Sequence, residues 1–175
     1  SQEGEDIILN RIFENQNRGF YVDVGAHHPK RFSNTYLFYK KGWTGINLDA
    51  MPGSMKAFKK FRKKDVNLEI PISISNKTLT YYCFNEPALN TFSEHLAQDR
   101  QKSNNQYEIE KELELRTFKL SEVLDKYLPA EKKIDFLTID VEGFDLEVLK
   151  SNDWSKYIPS FILIEVLKSN SYHDV

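Results

Sequence analysis

The sequence predicts a doubly wound α/β fold, a mostly parallel sheet with helices on both faces, and three observations carry that expectation. Residues 20–24 (FYVDV) form a short apolar, β-branched and aromatic run of the kind buried on both faces of a parallel sheet. The run stops at Gly25, where the backbone can turn sharply and a ligand can come close. A second such run, residues 134–140 (IDFLTID), ends on an acid and is followed by Gly143. Around them helix-like and strand-like segments alternate, the order that builds parallel β-α-β units. The expected architecture is therefore Rossmann-like, in one domain over residues 1–175.

Each element has a local reason. Ile8 and Ile12, and Leu9 and Phe13, are i,i+4 pairs that predict an amphipathic helix over 5–15. Its polar start reads as capping chemistry; the rival reading has Gln2 and Asp6 reaching a ligand. After Gly25, Ser33 or Asn34 can cap a helix running to Lys41, with Gly42 placed to end it. Residues 44–48 make a second strand, and Asp49 sits just past its carboxyl end. Met51, Pro52 and Gly53 turn the chain into a helix over 54–64. Its cations (Lys56, Lys59, Lys60, Arg62, Lys63 and Lys64) read as a solvated face, and Phe58 and Phe61 as core contacts.

Residues 66–75 alternate as a third strand, and Pro71 marks it as an edge or a bulge. Residues 79–84 (LTYYCF) are a further strand and a candidate hairpin partner for it. The polar stretch 85–112 is an excursion or a lid, with a helix start at 90–93 (NTFS). A strand from Leu113 to Leu120 follows, then a short helix capped by Ser121 and carrying Val123, Leu124 and Tyr127. The helix after Gly143 should bury Leu146 and Leu149, and residues 160–166 (SFILIEV) are the last strand, with Glu165 toward the site. In the strand order 3-2-1-4-5, Asp23 and Asp140 flank one crevice. The helix and antiparallel strand pair that commonly close such sheets are expected either to be missing or to lie past residue 175.

Composition narrows the function. With 175 residues, 40% hydrophobic and 29% charged, the chain is ordinary for a globular protein. A net charge of −2 argues against a dedicated nucleic-acid binder, whose affinity comes from neutralising phosphates. The single Cys83 allows no internal disulfide and suits a reducing compartment. No apolar run approaches the roughly 18 residues of a spanning helix, and no signal peptide opens the chain. A cytoplasmic location is expected.

Ligands of open parallel sheets bind outside the carboxyl ends of the strands, where strand order reverses. An acid about 20 positions after the glycine turn is placed to grip two ribose hydroxyls; Asp49 is that residue. A dinucleotide also needs a cradle of backbone N–H groups for its pyrophosphate. Here Gly25 is followed by Ala26-His27-His28-Pro29, with no further glycine and with a proline that has no N–H. A nucleoside without phosphates, such as S-adenosylmethionine, fits better.

Residues 20–29 (FYVDVGAHHP) and 139–149 (IDVEGFDLEVL) together resemble the FkbM family of S-adenosylmethionine-dependent methyltransferases. The resemblance extends to 1–6 (SQEGED), 33–35 (SNT), 42–45 (GWTG) and 90–93 (NTFS), nearly the whole chain. It implies a class I methyltransferase fold and O-methylation of a hydroxyl on a sugar, glycan or natural product. It further implies that Asp23, Gly25 and Ala26 hold the methionine portion of the cofactor, with His27 facing the pocket. Asp49 then takes the ribose, and Ser73, or Ser75, lines the adenine. Asp140, with Glu142 beside it, is the candidate for the reacting centre. Asp140 and Glu165 are the candidate ligands of Mg²⁺, against a reading in which Glu142 and Glu165 only brace backbone. The turn itself departs from the usual pattern in carrying His27-His28-Pro29.

The remaining chemistry-bearing residues have plainer readings. His27 and His28 are favoured as hydrogen-bonding groups over proton acceptors, His95 rides on the excursion, and His173 has no assigned role. Cys83 is a small apolar strand residue. A Rossmann-type NAD-dependent oxidoreductase is the alternative enzyme, and a non-catalytic binding domain keeping the fold is the alternative class. A hydrolase would need a G-x-S-x-G turn, and a nucleobase N-methyltransferase an Asn/Asp-Pro-Pro-aromatic segment; neither is present.

Overall fold

A computed structural model describes residues 1, 4–103 and 106–166. Its helices are α1 (Glu5–Ile12), α2 (Tyr36–Lys40), α3 (Met55–Phe61), α4 (Glu94–Ser103), α5 (Leu120–Tyr127) and α6 (Asp145–Lys150). Its strands are β1 (Phe20–Val24), β2 (Thr44–Asp49), β3 (Val66–Glu69), β4 (Thr78–Phe84), β5 (Ile109–Arg116), β6 (Phe136–Ile139) and β7 (Phe161–Ile164). Five strands form a parallel sheet in the order β3-β2-β1-β6-β7, and β4 and β5 form a separate antiparallel pair. This is the expected Rossmann-like order, with the edge strand where Pro71 suggested.

Strand alternation sorts side chains into two cores. Phe20, Val22 and Val24 of β1, Ile46 and Leu48 of β2, and Leu137 and Ile139 of β6 face α5 and α6. Tyr21 and Phe136 face the opposite way, into a cluster with Leu9, Phe13, Phe38 and Trp43. There the rings of Phe38, Trp43 and Phe136 stack edge-on or tilted, 4.8–6.0 Å apart, contacts worth about 0.5–1.5 kcal/mol each beyond burial. Register then places polar residues on this second face near the carboxyl ends: Asp23 lies opposite Asn47 on one side and Thr138 on the other.

Several sequence expectations need correction. The first helix ends at Ile12, and only Leu9 and Phe13 reach the core; Ile8 and Ile12 are exposed. The third strand is four residues long, because the chain turns at Pro71 and Ile72 bridges instead to Phe118. The partner of β4 is β5, not β3. The strand expected up to Leu120 stops at Arg116, and Leu120 opens α5. Its N–H is capped by Ser151 Oγ at 3.1 Å, not by Ser121. In α6, Asp145 and Val148 are buried and Leu149 packs partly against the core as expected, but Leu146 faces solvent. Finally, α3 ends at Phe61, so Arg62 leaves the row of cations and is completely buried, while Phe61 is exposed.

Other expectations hold. Ser33 Oγ accepts the N–H of Tyr36 at 3.1 Å, and Gly42 follows α2 with a φ of 92° that favours glycine. Ser93 caps α4 through the N–H of Leu96, as the 90–93 segment suggested. Gln2 and His173 lie outside the described residues. No helix among the described residues is long and apolar enough to cross a membrane.

Candidate active site

A cavity of about 280 Å³ opens at the carboxyl ends of β1, β2 and β6, near the lower bound for small-molecule sites. Asp23, Gly25, Ala26, His27, Asp49, Asp140, Glu142 and Glu165 all line it. Ser73 does not: its N–H donates to Phe118 O at 3.0 Å, and Ile70, Pro71 and Ile72 form the wall at that place. Tyr81 of β4 and Pro87, Ala88, Asn90 and Phe92 of the excursion close over the cavity; of these, only Asn90 and Phe92 lay in a segment the sequence had singled out, 90–93.

The glycine turn works by close approach. Gly25 has a φ of 88°, and a Cβ there would lie 1.8 Å from the Asp140 carbonyl oxygen. Only glycine lets the end of β1 touch the end of β6. The N–H groups of Gly25 and Ala26 both donate to Leu48 O, at 2.9 and 3.0 Å. What the turn offers the cavity is room, not donors. The helix that would direct its N-terminus at a phosphate starts only at Tyr36. A pyrophosphate finds no cradle here, which disfavours a dinucleotide on structural grounds.

Two acids define one side of the cavity. Asp49 accepts the N–H of His27 at 2.9 Å and of Met51 at 2.8 Å, joining the loops after β1 and β2. Burial raises its pKa against these bonds. Asp23 accepts the Thr35 hydroxyl at 2.7 Å. Burial pushes its pKa up to about 6, with the Thr35 bond and the Arg62 charge acting the other way. His28 is turned away: its Nδ1 accepts the N–H groups of Lys30 and Arg31 at 3.1 and 2.8 Å, bracing the loop. His95 is exposed and faces Asp99.

The opposite side is a carboxylate cluster. Asp140, Glu142 and Glu165 each bring one oxygen within 4.8 Å of the others. Asp140 keeps part of its surface open, yet the surrounding protein and then the charges of Glu165, Glu142 and Asp145 push its pKa up to about 8. Glu165 is raised by burial and then by the charge of Glu142, with its hydrogen bond to Asp140 acting the other way. Asp145 accepts the N–H groups of Val141 and Gly143 and so shapes the turn that carries Glu142. From the excursion, Arg100 pairs with Glu142 and donates to Leu89 O at 2.7 Å, while the Thr91 hydroxyl donates to Glu142 O at 2.7 Å.

Backbone strain concentrates here. Among the described residues the non-glycine positions with positive φ are His27 (49°), Phe32 (59°) and Glu142 (53°), and all three line the cavity. Such conformations cost about 1–3 kcal/mol each and gather at functional sites.

A parallel sheet in this order flanked by helices, with an acid just past β2 and no phosphate cradle, is a Rossmann-like fold of the kind methyltransferases use. The Methyltransferase FkbM domain family model matches residues 23–175, and the chain belongs to that family. Its domain is thus a methyltransferase domain. Neither the curated proteins nor the solved structures give a match.

Proposed function

We propose that the protein is an S-adenosylmethionine-dependent O-methyltransferase acting on a hydroxyl of a sugar, glycan or natural product in the cytoplasm. The observation that carries this reading is one cavity with Asp23 and Asp49 on one side and Asp140, Glu142 and Glu165 on the other. When bound, S-adenosylmethionine supplies an electrophilic methyl on a sulfonium sulfur and leaves as the thioether. Asp49 would hold the ribose hydroxyls, using the carboxylate lone pairs that His27 and Met51 leave over. Asp23 would face the methionine ammonium, and Ile70 and Ile72 offer an apolar wall to the adenine.

At the acceptor end, Asp140 takes the proton that the hydroxyl loses as its oxygen bonds to the methyl carbon. A carboxylate is ordinarily too weak a base for this; one raised to about 8 is better matched when ionised. The rings of Phe32 and Phe92 line the same cavity and suit the face of a sugar. Mg²⁺ held by Asp140 and Glu165, with Glu142 within reach, would instead acidify the hydroxyl directly. The Arg100 guanidinium on Glu142 leaves the first two as the freer ligands.

The test is calorimetric titration with S-adenosylhomocysteine and with NAD, each with and without Mg²⁺. Micromolar binding of the first alone is expected. A preference for NAD, or binding of neither by folded protein, overturns the reading.

A further inference from the structure

Arg62 is a fully buried cation whose hydrogen bonds reach well beyond charge neutralisation. Its Nε donates to Asp65 Oδ2 at 2.9 Å, which offsets the charge. Nη1 donates to Pro29 O at 3.0 Å, and Nη2 donates to Tyr21 Oη at 2.7 Å and Thr35 Oγ1 at 2.9 Å. The guanidinium also lies 4.7 Å from the centre of the Tyr39 ring. A buried ion pair is a poor device for stability alone, since apolar replacements often do as well. This one ties the segment after α3 to β1, to the loop after the glycine turn, and to the start of α2.

The bond to Thr35 has a chemical consequence. Because Arg62 donates to Thr35 Oγ1, that oxygen serves as acceptor on one side and its hydroxyl hydrogen is directed elsewhere. It goes to Asp23 Oδ2, 2.7 Å away. A hydroxyl oriented in this way stabilises the ionised carboxylate over the neutral acid. The charged groups facing Asp23 are Arg62 and Asp65 after α3 and Asp49 at the end of β2; the two acids oppose ionisation and Arg62 favours it.

We propose that Arg62 is a positioning residue of the cofactor site: through Thr35 it keeps Asp23 oriented and ionised for a cationic group of the cofactor, and through Pro29 it holds the loop carrying His27. The proposal rests on the reading that the cavity takes S-adenosylmethionine, whose amino-acid end bears an ammonium. It names a residue that no sequence pattern separated from its neighbouring lysines.

The experiment uses Thr35→Val, which keeps the side-chain shape, because Arg62 variants are at risk of not folding. Two readouts are needed: the carboxyl titration of Asp23 by NMR in ligand-free protein, and S-adenosylhomocysteine affinity between pH 5 and 9. Thr35→Val should raise the Asp23 midpoint by about one unit. It should weaken binding about fivefold at pH 6 but hardly at all at pH 8. Thr35→Ser should restore both, and in an Asp23→Asn background Thr35→Val should have no further pH-dependent effect. A pH-independent loss, an unmoved midpoint, or the same pH effect without Asp23 overturns the proposal and leaves the cofactor reading standing. If no variant and no parent protein binds S-adenosylhomocysteine at any pH, the cofactor reading falls and the positioning role falls with it, whatever the midpoint does.

Discussion

At the scale of single residues, the proposed function assigns chemistry to Asp140 and cofactor binding to Asp49. Asp140 is pushed up to about 8, so near neutrality it is mostly protonated and its basic form grows as pH rises. The expected kcat/KM therefore climbs with pH and levels off above an inflexion near 8. Asp140→Asn should abolish that limb and lower kcat by about 10²–10⁴-fold, with S-adenosylhomocysteine affinity little changed; steady-state kinetics beside calorimetry reads both. Unchanged turnover would remove Asp140 from the reacting centre. Asp49→Ala should do the reverse, weakening cofactor binding at least tenfold, because the variant loses both the proposed ribose acceptor and the tie between two loops. The acids were legible in the sequence because a residue at the end of a buried parallel strand has only one place to go. Arg62 was not. Helical periodicity assigns it to the lysine row, and only the end of α3 at Phe61 turns it inward.

At the scale of elements, two junctions hold the site. In the first, Gly25 lets β1 and β6 touch, and Gly25→Ala would drive a methyl into the Asp140 carbonyl while also requiring a φ near 88°. A loss of at least about 3 kcal/mol is expected, read as a shift in denaturant midpoint. A midpoint within error of the parent would mean that the β1–β6 contact is looser than described. In the second, Thr91 and Arg100 fasten the excursion to Glu142. Arg100→Ala should raise hydrogen exchange across α4 while leaving β1, β2 and β6 protected. Equal exchange in variant and parent would show that the pair contributes nothing to holding α4. The central strands could be read from sequence because both their faces are buried and their apolar runs are nearly continuous. The pairing of β4 with β5 could not: period-two alternation identifies a strand without naming its partner. The same limit explains Ser73. Its place followed from a third strand extended to Ser75, whereas the chain leaves the sheet after Glu69 and presents Ile70, Pro71 and Ile72 to the cavity.

At the scale of the whole molecule, the site is held against the preference of the fold. Asp23 has a pKa of about 6 against an ordinary 3.8. Below the lower value it is neutral whether folded or unfolded, and it weighs on neither state. As pH rises from about 4 to about 6 the unfolded chain gives up this proton while the native protein keeps it, and above about 6 the native protein carries the buried charge at full penalty. Stability should therefore fall over that window, by roughly 3 kcal/mol at the upper end. Asp23→Asn should remove this part of the pH dependence and make the protein more stable at pH 7, while cofactor affinity drops. Urea midpoints at pH 4 and pH 7 for both proteins provide the check. A variant no more stable than its parent at pH 7 would mean that Thr35 and Arg62 already compensate the burial in full.

The way the excursion meets the sheet also bears on how new acceptor preferences arise. Its contacts to the DVEG turn converge on one residue, with Thr91 on the Glu142 carbonyl and Arg100 on the carboxylate. The segment is also tied to β4, through the Tyr82–Thr91 bridge and the bond from the Phe84 N–H to Asn90 Oδ1, and its Phe92 ring lies against Phe144, so drift in sequence that keeps these contacts leaves the cofactor half of the protein undisturbed. Grafting residues 85–112 from a relative that methylates a different alcohol should then transfer substrate choice, provided the threonine and the arginine travel with it.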